Sequence, residues 1–143
     1  MKNTLAVITV AFALIFSIQG TQAQIKNVWV GGKPGRPIDW NVAANWSLQR
    51  VPNEFHDVVI PNTSTTTASY PVIDEEVKIH TLRVESGAKL FILPTGKLNL
   101  QATGMNAKEV LANRGAIENQ SHNLIGLHPS TLLGETSSFV ADK

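Results

Sequence analysis

Cysteine is absent from this chain of 143 residues, so no disulfide and no cysteine-linked lipid anchor can form. A fold of this size must then be held by apolar burial and backbone hydrogen bonds alone. Charge is also sparse: 16% of residues are charged, with 12 Lys and Arg against 11 Asp and Glu. This near-neutral balance argues against nucleic acid and anionic membrane as partners.

A hydrophobic run long enough to span a membrane is missing as well. The main apolar segment, residues 5–18, is shorter than the ~20 residues that a transmembrane helix needs. Lys2 precedes it and the small-residue sequence 21–23 follows, which is typical of a secretory signal peptide. We therefore expect residues 1–23 to be cleaved and a formally neutral mature chain to begin at Gln24. The expected location is extracellular or at the cell surface, with no membrane span after cleavage.

The middle of the chain consists of short apolar runs broken by glycine turns. Residues 57–60 are β-branched, and residues 77–100 alternate apolar and polar side chains at a period of two. The spacing from Gly96 to Gly115 is close to the ~20 residues of one β-helix coil. The pattern predicts an all-β fold, a right-handed parallel β-helix or closely related β-solenoid. The expected core comprises Val58, Ile60, Ile79, Leu82, Val84, Leu90, Ile92, Leu98, Leu100 and Ile117.

Three glycines are expected at corresponding corners of successive coils. Gly87, Gly96 and Gly115 each precede an apolar run, and we expect them at positive φ, where a Cβ is strained. On this interpretation, replacement of Gly96 by valine lowers the melting temperature.

The mature chain, about 120 residues, is long enough for one domain. We divide it into a Trp-rich N-terminal cap with the first strand, residues 24–62, solenoid coils, residues 63–123, and a tail, residues 124–143. The tail is a candidate C-terminal cap. Strand edges that it leaves uncovered would favour self-association.

Two interpretations compete for residues 106–115. Asn106 and Glu109 have the spacing of a capping box, and Gly115 then marks the end of a helix. The alternative, which we favour because the flanking units resemble coils, is a strand at residues 110–112.

The three tryptophans are the candidate binding residues. Trp29, Trp40 and Trp46 can form an aromatic platform for a sugar ring. They can instead close the open end of the solenoid, whose first coil would otherwise expose apolar side chains and strand edges. We favour the cap, since stacked coils require one.

No constellation for metal binding or catalysis stands out. Residues 74–76 and the pair His56-Asp57 match no Ca²⁺ loop, and we expect the acidic run in a solvated turn. His56, His80, His122 and His128 lack zinc-site spacing and are expected as single surface or loop residues. Nucleophile-elbow, phosphate-loop and dinucleotide motifs are missing, as is a carboxylate pair on the coils. We expect no enzyme activity, no cofactor and no metal.

One resemblance to known proteins is carried by a spaced pattern of tryptophan, glycine and proline. It consists of Trp29, Gly31, Asp39-Trp40, Asn45-Trp46, Val51-Pro52, Asp57 and residues 58–61. The pattern resembles the Trp-rich head of repeat-bearing extracellular proteins of Gram-negative bacteria, and later segments extend the likeness over residues 28–119. The resemblance implies a surface or adhesin-like β-helix module, often within a much longer polypeptide. Such proteins commonly end in a sorting or outer-membrane domain that this sequence does not show, which suggests a truncated relative, a fragment or a small stand-alone form.

The functional hypothesis is a non-catalytic, secreted or cell-surface β-solenoid module for adhesion or structural display. Its expected partners are an extracellular polysaccharide or a host or cell-surface protein, and self-association through an open solenoid edge. The alternatives are a carbohydrate-binding module that uses exposed tryptophans, and a fragment of a larger β-helical polysaccharide-active protein.

The leader generates the first prediction. Expressed in a Gram-negative bacterium, the chain should be exported and cut after Ala23, so that intact-mass analysis finds a protein beginning at Gln24. Replacement of Ala23 by leucine should leave the leader attached, because cleavage needs a small residue there. A wild-type chain that keeps residues 1–23 and stays in the cytoplasm would contradict the assignment.

Overall fold

The computed structural model describes residues 24–66 and 68–129. The expected leader, residues 1–23, and residues 130–143 of the tail lie outside the described residues. The strands are β1 Ile25–Val28, β2 His56–Ile60, β3 Val72–Ile73, β4 Glu76–Ile79, β5 Thr81–Val84, β6 Lys89–Ile92, β7 Lys97–Leu100, β8 Leu111–Asn113, β9 Ala116–Asn119 and β10 Gly126–Leu127. The helical elements are a 3₁₀ turn, Ala43–Asn45, and a one-turn helix α1, Ala107–Val110.

The strands stack into three parallel sheets, which we call faces A, B and C. Face A has the order β1-β2-β5-β8, face B the order β3-β6-β9, and face C the order β4-β7-β10. The first two strands, β1 and β2, both lie on face A. From β2 onward the chain places strands on A, B and C in turn and then returns to A one strand further along. The predicted β-solenoid is therefore confirmed, with about four turns.

Alternation along each strand builds the core. In β2 the burial alternates along the strand, so Val58 and Ile60 point inward while Asp57 and Val59 point outward. All the predicted core residues are buried except Ile117, which is partly buried because it belongs to the last described coil. The buried apolar residues outside the predicted core set are Trp29, Trp40, Trp46, Ile73, Val77, Ala88, Ala102, Val110 and Leu111.

The expectation that all three glycines occupy the same corner of successive coils was wrong. Gly87 lies between β5 and β6 and Gly115 between β8 and β9, so these two share a corner, whereas Gly96 lies at the next corner, between β6 and β7. Coils also differ in length, since Val72 pairs with Phe91 on face B while Leu82 pairs with Leu111 on face A. The spacing from Gly96 to Gly115 therefore runs between different corners.

The reason for glycine at these corners also differs from our expectation. Only Gly87 of the three has a positive φ, 79°. At Gly96 an added Cβ would overlap the carbonyl oxygen of Ile73, and at Gly115 it would overlap that of Ala88. At these two corners close packing between coils, rather than backbone conformation, excludes a side chain.

Residues 106–113 combine the two competing interpretations. Asn106 and Glu109 form a full capping box, in which the Glu109 N–H donates to Asn106 Oδ1 at 3.0 Å. The helix α1 ends at Val110, far short of Gly115, and the chain continues directly into β8. The favoured strand is thus present but starts one residue late, because one helical turn precedes it. Within the described part of the chain, no helix is long and apolar enough to cross a membrane.

The expected tail supplies part of the solenoid. Gly126 and Leu127 form β10, which pairs in parallel with Asn99 and Leu100 of β7. The coils therefore extend beyond residue 123, our expected boundary, and complete face C of the last described coil.

The packing at Gly96 gives a stability prediction. Gly96→Ala should lower the free energy of unfolding by about 1–3 kcal/mol, the range for overpacking a tight site, because its Cβ meets the carbonyl of Ile73. Gly104→Ala is the matched control: Gly104 has φ 70° but nothing within 4 Å of its Cβ position, so only backbone strain of about 1–2 kcal/mol applies. Urea unfolding measures both. A neutral Gly96→Ala would show that the corner can open.

Candidate functional site

The three tryptophans form one buried cluster at the N-terminal end of the solenoid. Trp46 is central: its ring centroid lies 5.0 Å from that of Trp29 and 4.6 Å from that of Trp40, both edge-to-face. The exposed fractions are only 1% for Trp29 and 0% for the other two. Each buried indole removes about 150–250 Å² from water, worth about 4–6 kcal/mol.

The burial of the indoles decides between the two interpretations of the tryptophans. A sugar platform needs ring faces open to solvent, and none of the three presents one. The platform expected as an alternative is therefore not formed in this structure. The cluster occupies the place of a cap, since it packs against the first coil and joins the same core.

Two of the three indole N–H groups have a hydrogen-bond acceptor within the described chain. Trp29 Nε1 donates to the carbonyl of Ser69 at 2.7 Å, and Trp46 Nε1 donates to the carbonyl of Trp40 at 2.7 Å. The buried Nε1 of Trp40 has no acceptor among the residues that the structure describes. A buried donor without an acceptor is unfavourable by about 1–3 kcal/mol.

Asn45 holds the cap together through hydrogen bonds and was not singled out from the sequence. The side chain is 0% exposed; its Nδ2 donates to the carbonyls of Arg36 at 2.8 Å and Asp39 at 3.0 Å. Its Oδ1 accepts from the N–H of Lys33 at 2.9 Å. Both N–H bonds of the side-chain amide and its oxygen therefore have hydrogen-bond partners. The sequence signal for this role is the polar residue directly before a tryptophan, Asp39 before Trp40 and Asn45 before Trp46. This pattern contributed only to the family resemblance.

The same segment covers strand edges at this end. On face B the N–H of Val72 donates to the carbonyl of Ile38 at 2.8 Å, and Trp40 N–H returns a longer bond to Val72. On face A the N–H of Ser47 donates to Val28 of β1 at 2.8 Å. The first strands of faces A and B are thus partly covered by residues 38–47, as a cap requires.

Face C differs from faces A and B at the same end, because no described residue pairs with the outer edge of its first strand, β4. Beside the first strand, β4, lies an open groove of about 440 Å³. It is lined by Trp40 and Asn41, by residues 51–54 and by residues 76–78 of β4. Pro52 has no N–H, and Asn53 uses its carbonyl to close a turn with the N–H of His56 at 3.0 Å. Residues 51–54 consequently lie beside β4 without pairing to it.

Two histidines are more embedded than the sequence indicated. His56, expected as a surface or loop residue, is 5% exposed because it points inward at the start of β2, and its Nδ1 accepts from Asn53 N–H at 3.0 Å. His80 Nδ1 lies 2.8 Å from Asp57 Oδ1, which also accepts from the Thr81 hydroxyl at 2.6 Å. Asp57 thereby links β2 to the next coil.

The acidic run contributes to surface contacts. Asp74, Glu75 and Glu76 are exposed; Glu75 accepts from Asn41 Nδ2 at 2.6 Å, and Glu76 lies 3.8 Å from Lys97 Nζ. Within residues 24–66 and 68–129 no group of three or more His, Asp or Glu side chains is placed to hold a metal ion. The site with the most distinctive geometry is therefore the tryptophan cap with its adjoining groove.

Comparisons with protein-family models, curated proteins and solved structures gave no match to this chain.

The unequal indoles give a prediction with a built-in control. Trp46→Phe and Trp40→Phe delete the same atoms from buried positions, but only the first removes a hydrogen bond and leaves the Trp40 carbonyl without its donor. Trp46→Phe should therefore destabilise the fold by about 1–3 kcal/mol more than Trp40→Phe. Equal losses in urea unfolding would show that the hydrogen bond to Trp40 contributes nothing.

Proposed function

We propose that this chain is a non-catalytic β-solenoid module that is exported and acts at or outside the cell surface, adhesin-like or in structural display. The observation that carries the proposal is that the two sides of each strand differ: one side faces the core and the other faces solvent. The inward side chains form a continuous apolar core, which leaves the outward rows of the sheets as the surface available for contact.

Face A offers the widest such surface, with four strands at a spacing of ~4.8 Å. One outward row runs Lys26, Asp57 and Thr81, and a second begins at Val28 and passes through Val59 to Arg83. Charged, hydroxyl and half-buried apolar side chains alternate in these rows. Stacked repeats present such extended surfaces, which solenoid proteins use to bind partners.

Export is supported by sequence features that are independent of the fold. The leader pattern in residues 1–23 suits an exported chain, and the resemblance of the Trp-rich head is to surface proteins. The formal neutrality of the exported part favours a partner recognised by shape and hydrogen bonds, such as polysaccharide or a cell-surface protein.

Adhesion through face A can be tested with the full chain coupled to beads. Retention of the beads under flow on bacterial cells and on a purified extracellular polysaccharide is measured for wild type and for the double variant Lys26→Glu, Arg83→Glu. Both side chains are exposed on face A, so we expect retention to fall several-fold through the loss of their contacts with the partner. Lys33→Glu with Lys108→Glu, which changes charge equally outside the sheets, should retain wild-type adhesion. Equal loss in both variants, or no retention of wild type on either surface, contradicts the proposal.

A further inference from the structure

A histidine–aspartate pair lies at the corner where the chain enters face A. His80 directly precedes β5, and its Nδ1 lies 2.8 Å from Oδ1 of Asp57 on the neighbouring strand β2. The Thr81 hydroxyl donates to the same carboxylate oxygen at 2.6 Å. Because a carboxylate only accepts hydrogen bonds, Nδ1 of His80 is the donor. The other ring nitrogen, Nε2, is therefore the one that can exchange a proton with a further group.

That further group is the side chain of Gln24. Gln24 directly precedes β1 as His80 precedes β5, so both residues lie at the same corner of face A, with β2 between their strands. Nε2 of Gln24 lies 3.4 Å from Nε2 of His80. Gln24 is exposed, whereas the side chains of His80 and Asp57 are only 17% and 28% exposed. The amide nitrogen of an exposed glutamine thus lies beside an imidazole that a carboxylate holds in place.

The position of Gln24 in the chain gives this contact a chemical consequence. The expected leader ends at Ala23, so Gln24 is the first residue of the exported chain. A glutamine with a free α-amino group can close a five-membered lactam. The amino nitrogen attacks Cδ of its own side chain, the bond from Cδ to Nε2 breaks, and ammonia leaves. The leaving nitrogen is the atom that lies beside His80.

The protons of this reaction balance without any co-reactant. The amide nitrogen gains one proton to leave as ammonia, and the attacking amino nitrogen loses one to solvent. His80 in its imidazolium form supplies the first proton from Nε2 and then recovers a proton from solvent. Asp57 stabilises the imidazolium and holds the ring so that Nε2 stays beside the leaving nitrogen.

We propose that Gln24, once it is the first residue, is converted to pyroglutamate with His80 as the general acid and Asp57 as a positioning residue. The inference rests on the proposed export, since Gln24 has a free α-amino group only after residues 1–23 are removed. The step occurs once in each chain, so the module has no turnover. The product lacks the α-amino group that aminopeptidases need, which protects β1, the strand that begins the stack on face A.

The test uses the mature chain, residues 24–143, freed from a fusion partner by a protease that leaves Gln24 as the first residue. Intact-mass analysis then follows the loss of one ammonia. The folded chain should cyclise on the order of 10²-fold faster than the same chain in concentrated urea, the lower end of the range for general acid–base catalysis. Equal rates in buffer and in urea would show that the fold contributes nothing and would refute the proposal.

Variants of the pair separate chemistry from folding. His80→Ala should lower the rate to that of the urea-unfolded chain, and added imidazole should restore part of it only in the folded variant. Asp57→Asn should slow cyclisation, and Asp57→Glu, which keeps a carboxylate, should recover part of the rate. His122→Ala is the matched control, because it removes an exposed imidazole that lies between β9 and β10, and it should cyclise like wild type.

The possible failures are distinguishable. A folded His80→Ala chain that cyclises at the wild-type rate would exclude His80 as the acid. If that variant does not fold, the comparison of wild type in buffer and in urea still decides. A leader that stays attached in cells would refute export and, with it, modification of the natural chain. Slow cyclisation of the freed chain would refute the role of His80 and leave export untouched.

Discussion

A stack of parallel coils has an apolar interior that must be closed where the stack begins. Here the closure is the contact of the Trp46 indole with Trp29 on one side and Trp40 on the other, all three buried. Without it the inward residues of the first coil, such as Val58, would face water, and the first strands would present unpaired edges. Since the chain has no cysteine, no covalent link substitutes for this packing. Each later coil pairs with the coil before it, so the first coil is the base on which the stack is built.

Closing the end with tryptophan also fixes the character of the adjoining surface. An indole buries a large apolar area with one side chain but carries an N–H that needs an acceptor when buried. The N–H of Trp46 donates to the carbonyl of Trp40 within the cap, and that of Trp29 donates to the carbonyl of Ser69 in the following segment. Asn45 satisfies part of the surrounding main chain. The third, on Trp40, is buried and has no acceptor among the described residues, although Trp40 belongs to the lining of the groove beside face C. Closure of the apolar interior and the adjoining groove therefore belong to one arrangement, in which the first strands of faces A and B are partly covered and β4 on face C borders the groove.

The sequence predicted what depends on local periodicity and failed where the outcome depends on stacking. Alternation in residues 77–100 correctly placed Leu82, Leu98 and their neighbours inside, because a period of two is a property of the strand itself. The corner occupied by Gly96 was misassigned, since coil length varies between faces and only the pairing register reveals it. The groove was not foreseen, because it arises from a segment around Pro52 that fails to pair with a strand distant in sequence. The unpaired N–H of Trp40 likewise has no signature in the chain.

The central claim is that the tryptophan cap and the coils are one cooperative structure. All three tryptophans lie in the cap, so fluorescence reports the cap, whereas far-UV circular dichroism reports mainly the strands of the coils. Equilibrium urea unfolding of the same sample should give superimposable transitions by the two probes, with the indoles protected from acrylamide quenching until that transition. A fluorescence transition completed at lower urea, with strand signal intact, would show that the coils stand without the cap and would contradict the account.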